Sequence, residues 1–221
     1  MAFTLSLYED VLANGSHLVR LSEHRPHMIY VVHGSILIEG QVLADGNAWF
    51  GEHGAVLIAG DAGATIWRWE IAPTSNVRCP VSGEGFRSSE KLSASLDALP
   101  TGELLLRGDS VAFPPGACAY KHVHQGPGIG CLLEGGMRID TCGRSTSFGP
   151  GGAWYEPGPE PVFAQAAADR PSQFVRGMIL PRSLLGHSSI RYVDQADRDK
   201  PKRQSYQVFV DQPISLPNGE R

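Results

Sequence analysis

His122 and His124 stand two positions apart at the end of an apolar, turn-bounded stretch, Gly116-Ala117-Cys118-Ala119-Tyr120-Lys121-His122-Val123-His124. Side chains alternate faces along a strand with period two, so both imidazoles leave the same face. If that face lines a cavity, the pair can share one divalent ion, and imidazole suits zinc, iron, nickel, copper and manganese. The same placement also serves two neutral histidines that hydrogen-bond an organic ligand. Catalytic metal sites generally use three protein ligands and keep one position open. The candidates for a third ligand or pocket group are Tyr120, Gln125 and Glu156. Tyr120 shares the parity of the two histidines, whereas Gln125 has the opposite parity unless the strand has ended. With two histidines alone, the ion is expected to be weakly held or absent. Arg176 is a candidate for binding a carboxylate substrate, since its planar fork suits that geometry. A structural ion pair is the plainer role for it and for Arg68.

The elements around these residues read as strands. Met28 to Ile38 is rich in β-branched residues about a central Gly34, which suits two short strands and a tight turn. Ala64 to Ile71 alternates again. Glu103–Phe113, Ala117–His124, Gly130–Asp140 and Ser172–Leu180 follow the same pattern between Gly/Pro turns. Residues 73–102 differ, being rich in Ser, Pro and Gly. Leu92, Leu96 and Leu99 recur there at helical spacing, so a short helix is expected near Ser89–Leu99, ended by Pro100. The tail, 182–221, carries mixed charge and one late strand, Ser205–Val210, whose partner is either the first half or another subunit.

The two halves repeat one pattern. Glu23-His24-Arg25-Pro26-His27-Met28-Ile29-Tyr30-Val31-Val32-His33-Gly34 can be laid on His124-Gln125-Gly126-Pro127-Gly128-Ile129-Gly130-Cys131-Leu132-Leu133-Glu134-Gly135. Ala48-Trp49-Phe50 then matches Ala153-Trp154-Tyr155, and Arg68 matches Arg176. Three anchors in one order mean two copies of a β unit. Many short strands in each copy favour a barrel or sandwich.

On these residues the chain resembles the cupin superfamily. The run from Gly116 to His124 resembles the first cupin motif. Leu132-Leu133-Glu134-Gly135 resembles the turn after it, and Gly151 to Pro161 resembles the second motif. The resemblance implies an all-β fold of two double-stranded β-helix, or jelly-roll, barrels. It divides the chain into an eroded barrel at 1–72, a linker with the short helix at 73–102, a second barrel at 103–181 and an extension at 182–221. It also implies a metal on His122 and His124, zinc, iron, nickel or manganese. The full motif adds a glutamate and a further histidine, and this chain has Gly128 or Ile129 and Val162 at those places. In the first half His122 and His124 correspond to Leu21 and Glu23, so no metal is expected there.

Composition narrows the partners. The net charge of −4 argues against nucleic acid, whose readers carry a basic face. No apolar run is long enough for a membrane span. Met1 to Gly15 lacks a secretory pattern, so a cytoplasmic location with four reduced cysteines is expected. There is no nucleophile elbow, zincin helix or phosphate-binding loop. Two functions stand ahead of a purely structural or assembly role. One is a divalent-metal-dependent enzyme acting on a small organic molecule. The other is a non-catalytic bicupin that binds or senses a small molecule. A homodimer is expected in either case.

Overall fold

The computed structural model describes residues 2–18, 25–76 and 82–216. Leu21, Glu23, His24 and Cys79 lie outside them. The chain forms two compact units, Met1–Asp97 with Ile214–Arg221, and Ala98–Pro213.

The N-terminal unit contains β1 (Phe3–Leu12), β2 (His17–Leu18), β3 (His27–Ile38), β4 (Gln41–Ala44), β5 (Ala48–Gly51), β6 (Leu57–Pro73), β7 (Ser82–Gly83) and β8 (Phe86–Ser95). They form one eight-stranded sheet in the order β4-β3-β6-β1-β8-β7, with β2 added on β6 and β5 on β3. Leu12, Ile29, Val31, Ile36, Trp49, Leu57 and Ile66 meet in its core.

The C-terminal unit contains β9 (Leu104–Phe113), β10 (Cys118–His124), β11 (Gly128–Glu134), β12 (Met137–Thr141), β13 (Arg144–Phe148), β14 (Ala153–Glu156), β15 (Val162–Ala166), β16 (Ser172–Pro181), β17 (Ile190–Tyr192), α1 (Gln195–Arg198) and β18 (Ser205–Ile214). Two five-stranded sheets result, β13-β12-β15-β10-β17 and β14-β11-β16-β9-β18. Val111, Phe113, Leu132, Trp154 and Phe174 of one sheet pack with Ala119, Met137, Ile139, Val162 and Ala164 of the other. This is the expected all-β jelly roll. Among the described residues no helix is long and apolar enough to cross a membrane.

The repeat is written into the strand registers. Ile29 sits opposite both Arg68 and Trp49, and Gly130 sits opposite both Arg176 and Trp154. The matched glycines act alike. Gly34 and Gly135 have φ of 82° and 84°. A Cβ there would stand 2.1 Å from Gly63 O and 2.2 Å from Pro171 O, so only glycine lets the neighbouring backbone approach.

Three expectations are corrected. The short helix at Ser89–Leu99 is a strand, β8, paired along β1. Its Ser-rich, alternating face gave β1 a partner, and that pairing outweighs three leucines at helical spacing. The stretch expected as a linker therefore completes the N-terminal sheet. Met28–Ile38 is one strand rather than a hairpin, because bulges between Val31 and His33 and between Gly34 and Ile36 bend it without reversing it. The late strand is β18, which pairs with β9 of the C-terminal unit. β17 joins β10 in the other sheet, so the extension adds one edge strand to each sheet of that jelly roll.

Candidate functional site

His122 and His124 close strand β10, and both are buried, at 4% and 2% exposure. Their Nε2 atoms are 3.1 Å apart. Nδ1 of His122 donates to Tyr120 O at 2.6 Å, a carbonyl that can only accept. Nδ1 of His124 lies 3.1 Å from Ser189 Oγ, just before β17. Nη1 of Arg176 donates to Nε2 of His124 at 2.8 Å, which makes that nitrogen an acceptor and gives the proton of His124 to Nδ1.

Burial is the largest influence on both rings and favours their neutral forms. It pushes the His122 pKa down against the raising effects of Tyr120 O and Glu156. It pushes His124 well down, helped by the Arg176 charge. A neutral His122 with its proton on Nδ1 has a bare Nε2. The two Nε2 atoms thus face each other as lone pairs, and only the one on His124 receives a donor.

Arg176 lies on β16 opposite Asp109 of β9. Its Nε and Nη2 donate to the two Asp109 oxygens at 3.2 and 3.0 Å. Burial opposes the guanidinium charge, but Asp109 and Glu156 outweigh it and raise the pKa. Glu156, at the end of β14, accepts from Trp154 Nε1 at 2.8 Å through Oε1. Its Oε2 is buried without a hydrogen-bond partner, 3.5 Å from His124 Nε2 and 3.6 Å from Arg176 Nη1. Two carboxylates against one guanidinium leave the cluster one negative charge.

The cluster forms the polar side of a small pocket. His122, Glu156, Arg176 and Tyr206 face the apolar Phe113, Val162, Phe174 and Ile190. The cavity is about 10 Å³, on the order of one water molecule.

The structure brings His122, His124, Glu156 and Arg176 together and leaves two expected residues outside. Tyr120 points elsewhere, its ring 5.0 Å from Lys200 Nζ. A bulge between Ala119 and His122 puts one extra residue into β10 and reverses the parity, so Ala119 lines the pocket instead. Gln125 is taken by Arg191 in an exposed hydrogen bond. Sequence reasoning missed Asp109, Ser189 and Tyr206. Asp109 had a signal, as the one acid in the first strand of the second repeat, where the first repeat has Asp10. Ser189 and Tyr206 come from the extension, and no spacing tied them to the barrel.

The first repeat keeps the Arg–Asp pair without the pocket cluster. Nε and Nη2 of Arg68 donate to Asp10 at 2.8 and 3.3 Å, and its Nη1 donates to Glu70 at 2.8 Å. Arg25 also pairs with Glu70. His27 is buried, with Nδ1 3.7 Å from Glu70 Oε2.

No protein-family model matches the chain, and none of the curated proteins matches it in sequence. Solved structures do match. An oxalate decarboxylase of Lactobacillus farciminis in a formate complex is 12% identical, with 89% of this chain and 82% of that chain covered and a TM-score of 0.63. A single-site variant of Bacillus subtilis oxalate decarboxylase is 13% identical over 89% of this chain and 73% of that one, with a TM-score of 0.61. A structure of the same Bacillus subtilis enzyme, reported for its Mn(II) centres, is 12% identical at the same coverages, with a TM-score of 0.60. The fold is that of a bicupin. At these identities the likeness shows the fold alone.

The bicupin fold raises the question of whether a divalent ion suits the cluster. Among the described residues no group of three or more His, Cys, Asp or Glu side chains is placed to hold one. Nη1 of Arg176, fixed by Asp109, stands against the lone pair of His124 that a metal would need. The residues as arranged do not fit a tightly held metal.

Proposed function

We propose that the C-terminal unit binds a small organic molecule at the mouth of this pocket and that the ligand places one hydroxyl or amine donor in its water-sized space, against His122 and Glu156. The observation behind this reading is that Oε2 of Glu156 is buried without a hydrogen-bond partner, and that Nε2 of His122 is left bare by the Nδ1–H bond to Tyr120 O, so both are acceptors. Buried acceptors without donors cost about 1–3 kcal/mol each, and a ligand hydroxyl removes that cost. The negative charge of the cluster disfavours a carboxylate ligand such as formate or oxalate. A neutral imidazole and a carboxylate on one hydroxyl are also a fitting pair for proton abstraction.

Thermal-shift measurements against polyols, sugars and amines, with formate and oxalate alongside, test the reading. Hydroxyl- or amine-bearing compounds should stabilise the protein, and formate and oxalate should not. In Glu156→Gln the Trp154 bond survives at the amide oxygen while a donor replaces Oε2. Affinity should then fall by about 1–3 kcal/mol, roughly 5- to 150-fold in Kd. A screen with no hydroxyl or amine response, or a response indifferent to Glu156→Gln, contradicts the proposal.

The converging Nε2 atoms favour a second reading, a divalent-metal-dependent enzyme on a small organic substrate, with His122 and His124 as ligands. The Mn(II) centres of the Bacillus subtilis structure belong with it. It requires Arg176 to leave His124, and stabilisation by oxalate only with added Mn²⁺ would select it.

A further inference from the structure

We propose that Gln204 is a second anchor of the C-terminal pocket, reached past Tyr206, and that the ligand is an amino alcohol with its amine on Glu156 and its hydroxyl on the Gln204 amide. The inference rests on the proposed binding of a donor against Glu156 and adds the far end of the molecule.

Among the described residues of this unit, two buried side-chain acceptors lack a hydrogen-bond partner, Oε2 of Glu156 and Oε1 of Gln204. Gln204 is 8% exposed and stands immediately before β18. A buried acceptor left without a donor is destabilising, so a ligand group that supplies the donor binds more tightly for it. One side chain links the two acceptors. The hydroxyl oxygen of Tyr206 accepts from Nε2 of Gln204 at 3.1 Å, and Tyr206 lines the pocket with His122, Glu156 and Arg176. Burial raises the phenol pKa against the lowering effects of the Gln204 bond and the Arg176 charge. The hydroxyl therefore stands in the field of the cluster, with Gln204 behind it.

The cavity has room for one small group, so the rest of a ligand needs a wall that yields. Phe113, Val162, Phe174, His122, Glu156 and Arg176 are all buried. Of the described residues lining the pocket only Tyr206 is exposed, at 45%. Its strand, β18, is the edge of its sheet and is hydrogen-bonded to β9 alone. The ring can therefore swing outward without opening the core. Its departure also frees Nε2 of Gln204, so the amide then presents a donor and an acceptor together. A hydroxyl answers both, accepting from Nε2 and donating to Oε1. Between the two ends the walls are apolar, with Phe113, Val162, Phe174 and Ile190. A short carbon chain suits them, whereas a sugar would bury hydroxyls there without partners. Asp109 and Glu156 outnumber the Arg176 charge, which favours an ammonium at the Glu156 end.

Titration calorimetry with ethanolamine and longer ω-amino alcohols, each against the n-alkylamine of the same length, reads the second anchor. At the best-fitting length the hydroxyl should tighten binding about tenfold. Gln204→Met keeps the bulk of the side chain without its amide. It should remove that gain and leave the alkylamine Kd where it was. Tyr206→Phe keeps the ring, removes the phenol oxygen that competes for Nε2, and should widen the gain. It carries the test if Gln204→Met does not fold. Amino alcohols that bind no more tightly than alkylamines at any length overturn the inference. So does a gain that Gln204→Met leaves intact or that Tyr206→Phe does not widen. If neither series binds, the pocket reading fails and takes this inference with it. Alkylamine binding without a hydroxyl gain overturns the second anchor alone.

Discussion

His124 is held at both ring nitrogens, by Ser189 at Nδ1 and by Arg176 at Nε2, and that grip fixes its charge state. Burial keeps it and His122 neutral below the ordinary histidine value of 6.5. The sign of the pH effect follows. Between the folded-state values and 6.5, the unfolded chain binds protons that the folded chain refuses. Stability contributed by these residues is therefore complete above 6.5 and lost as pH falls below it, down to the folded-state values. Thermal unfolding midpoints should drop as the pH goes from neutral toward acid, and His122→Gln or His124→Gln should flatten that slope. Equal slopes in wild type and variants contradict it. At this scale the sequence was informative where chemistry is local. His-x-His on one strand end could be read directly. The tautomers could not, because they depend on Ser189 and Arg176, 65 and 52 residues away.

At the scale of elements, the extension is part of the pocket wall. Arg107 of β9 ties it down. Its Nε and Nη2 donate to the Asp211 carboxylate on β18, both at 2.9 Å, and Nη1 and Nη2 donate to His187 O and Leu184 O at 2.7 Å. One guanidinium thus joins β18 to the loop that delivers Ser189. Asp211→Ala leaves this charge buried without its acid. The expected loss is about 3 kcal/mol, the low end for a buried pair because the Asp211 side chain is 18% exposed. Hydrogen exchange should quicken along Ser205–Ile214 and around Ser189 while the centre of β16 stays protected. Uniform acceleration through the unit, or none, contradicts this linkage. Strand alternation made most of these elements legible. It failed at Ser89–Leu99, where leucine spacing imitated a helix and only the pairing with β1 decides. It failed again at Tyr120, where one bulged residue reversed the faces.

At the scale of the molecule, the duplicated pattern was the most readable feature, since the Pro, Trp, Arg and Gly anchors all mark places where the backbone or core admits few alternatives. Gly34 and Gly135 admit a neighbouring carbonyl, and Arg68 and Arg176 each grip an acid on the first strand of their unit. What differs between the copies is the set of acceptors around that arginine, and there the sequence showed the two histidines but not how Glu156 joins them. Glu156 stood beside Tyr120 and Gln125 as a candidate pocket group with nothing in the sequence to rank the three, and it alone of them is buried. Its burial comes from Trp154 and from the pairing of β14 with β11, contacts that no local pattern announces.

The state of the two imidazoles decides among these accounts, and nitrogen-15 NMR of the histidine side chains reads it directly. At neutral pH both His122 and His124 should carry their single proton on Nδ1, with Nε2 bare. A proton on Nε2 of His122, or an imidazolium at that pH, would show that the pocket does not present the lone pair on which ligand binding depends.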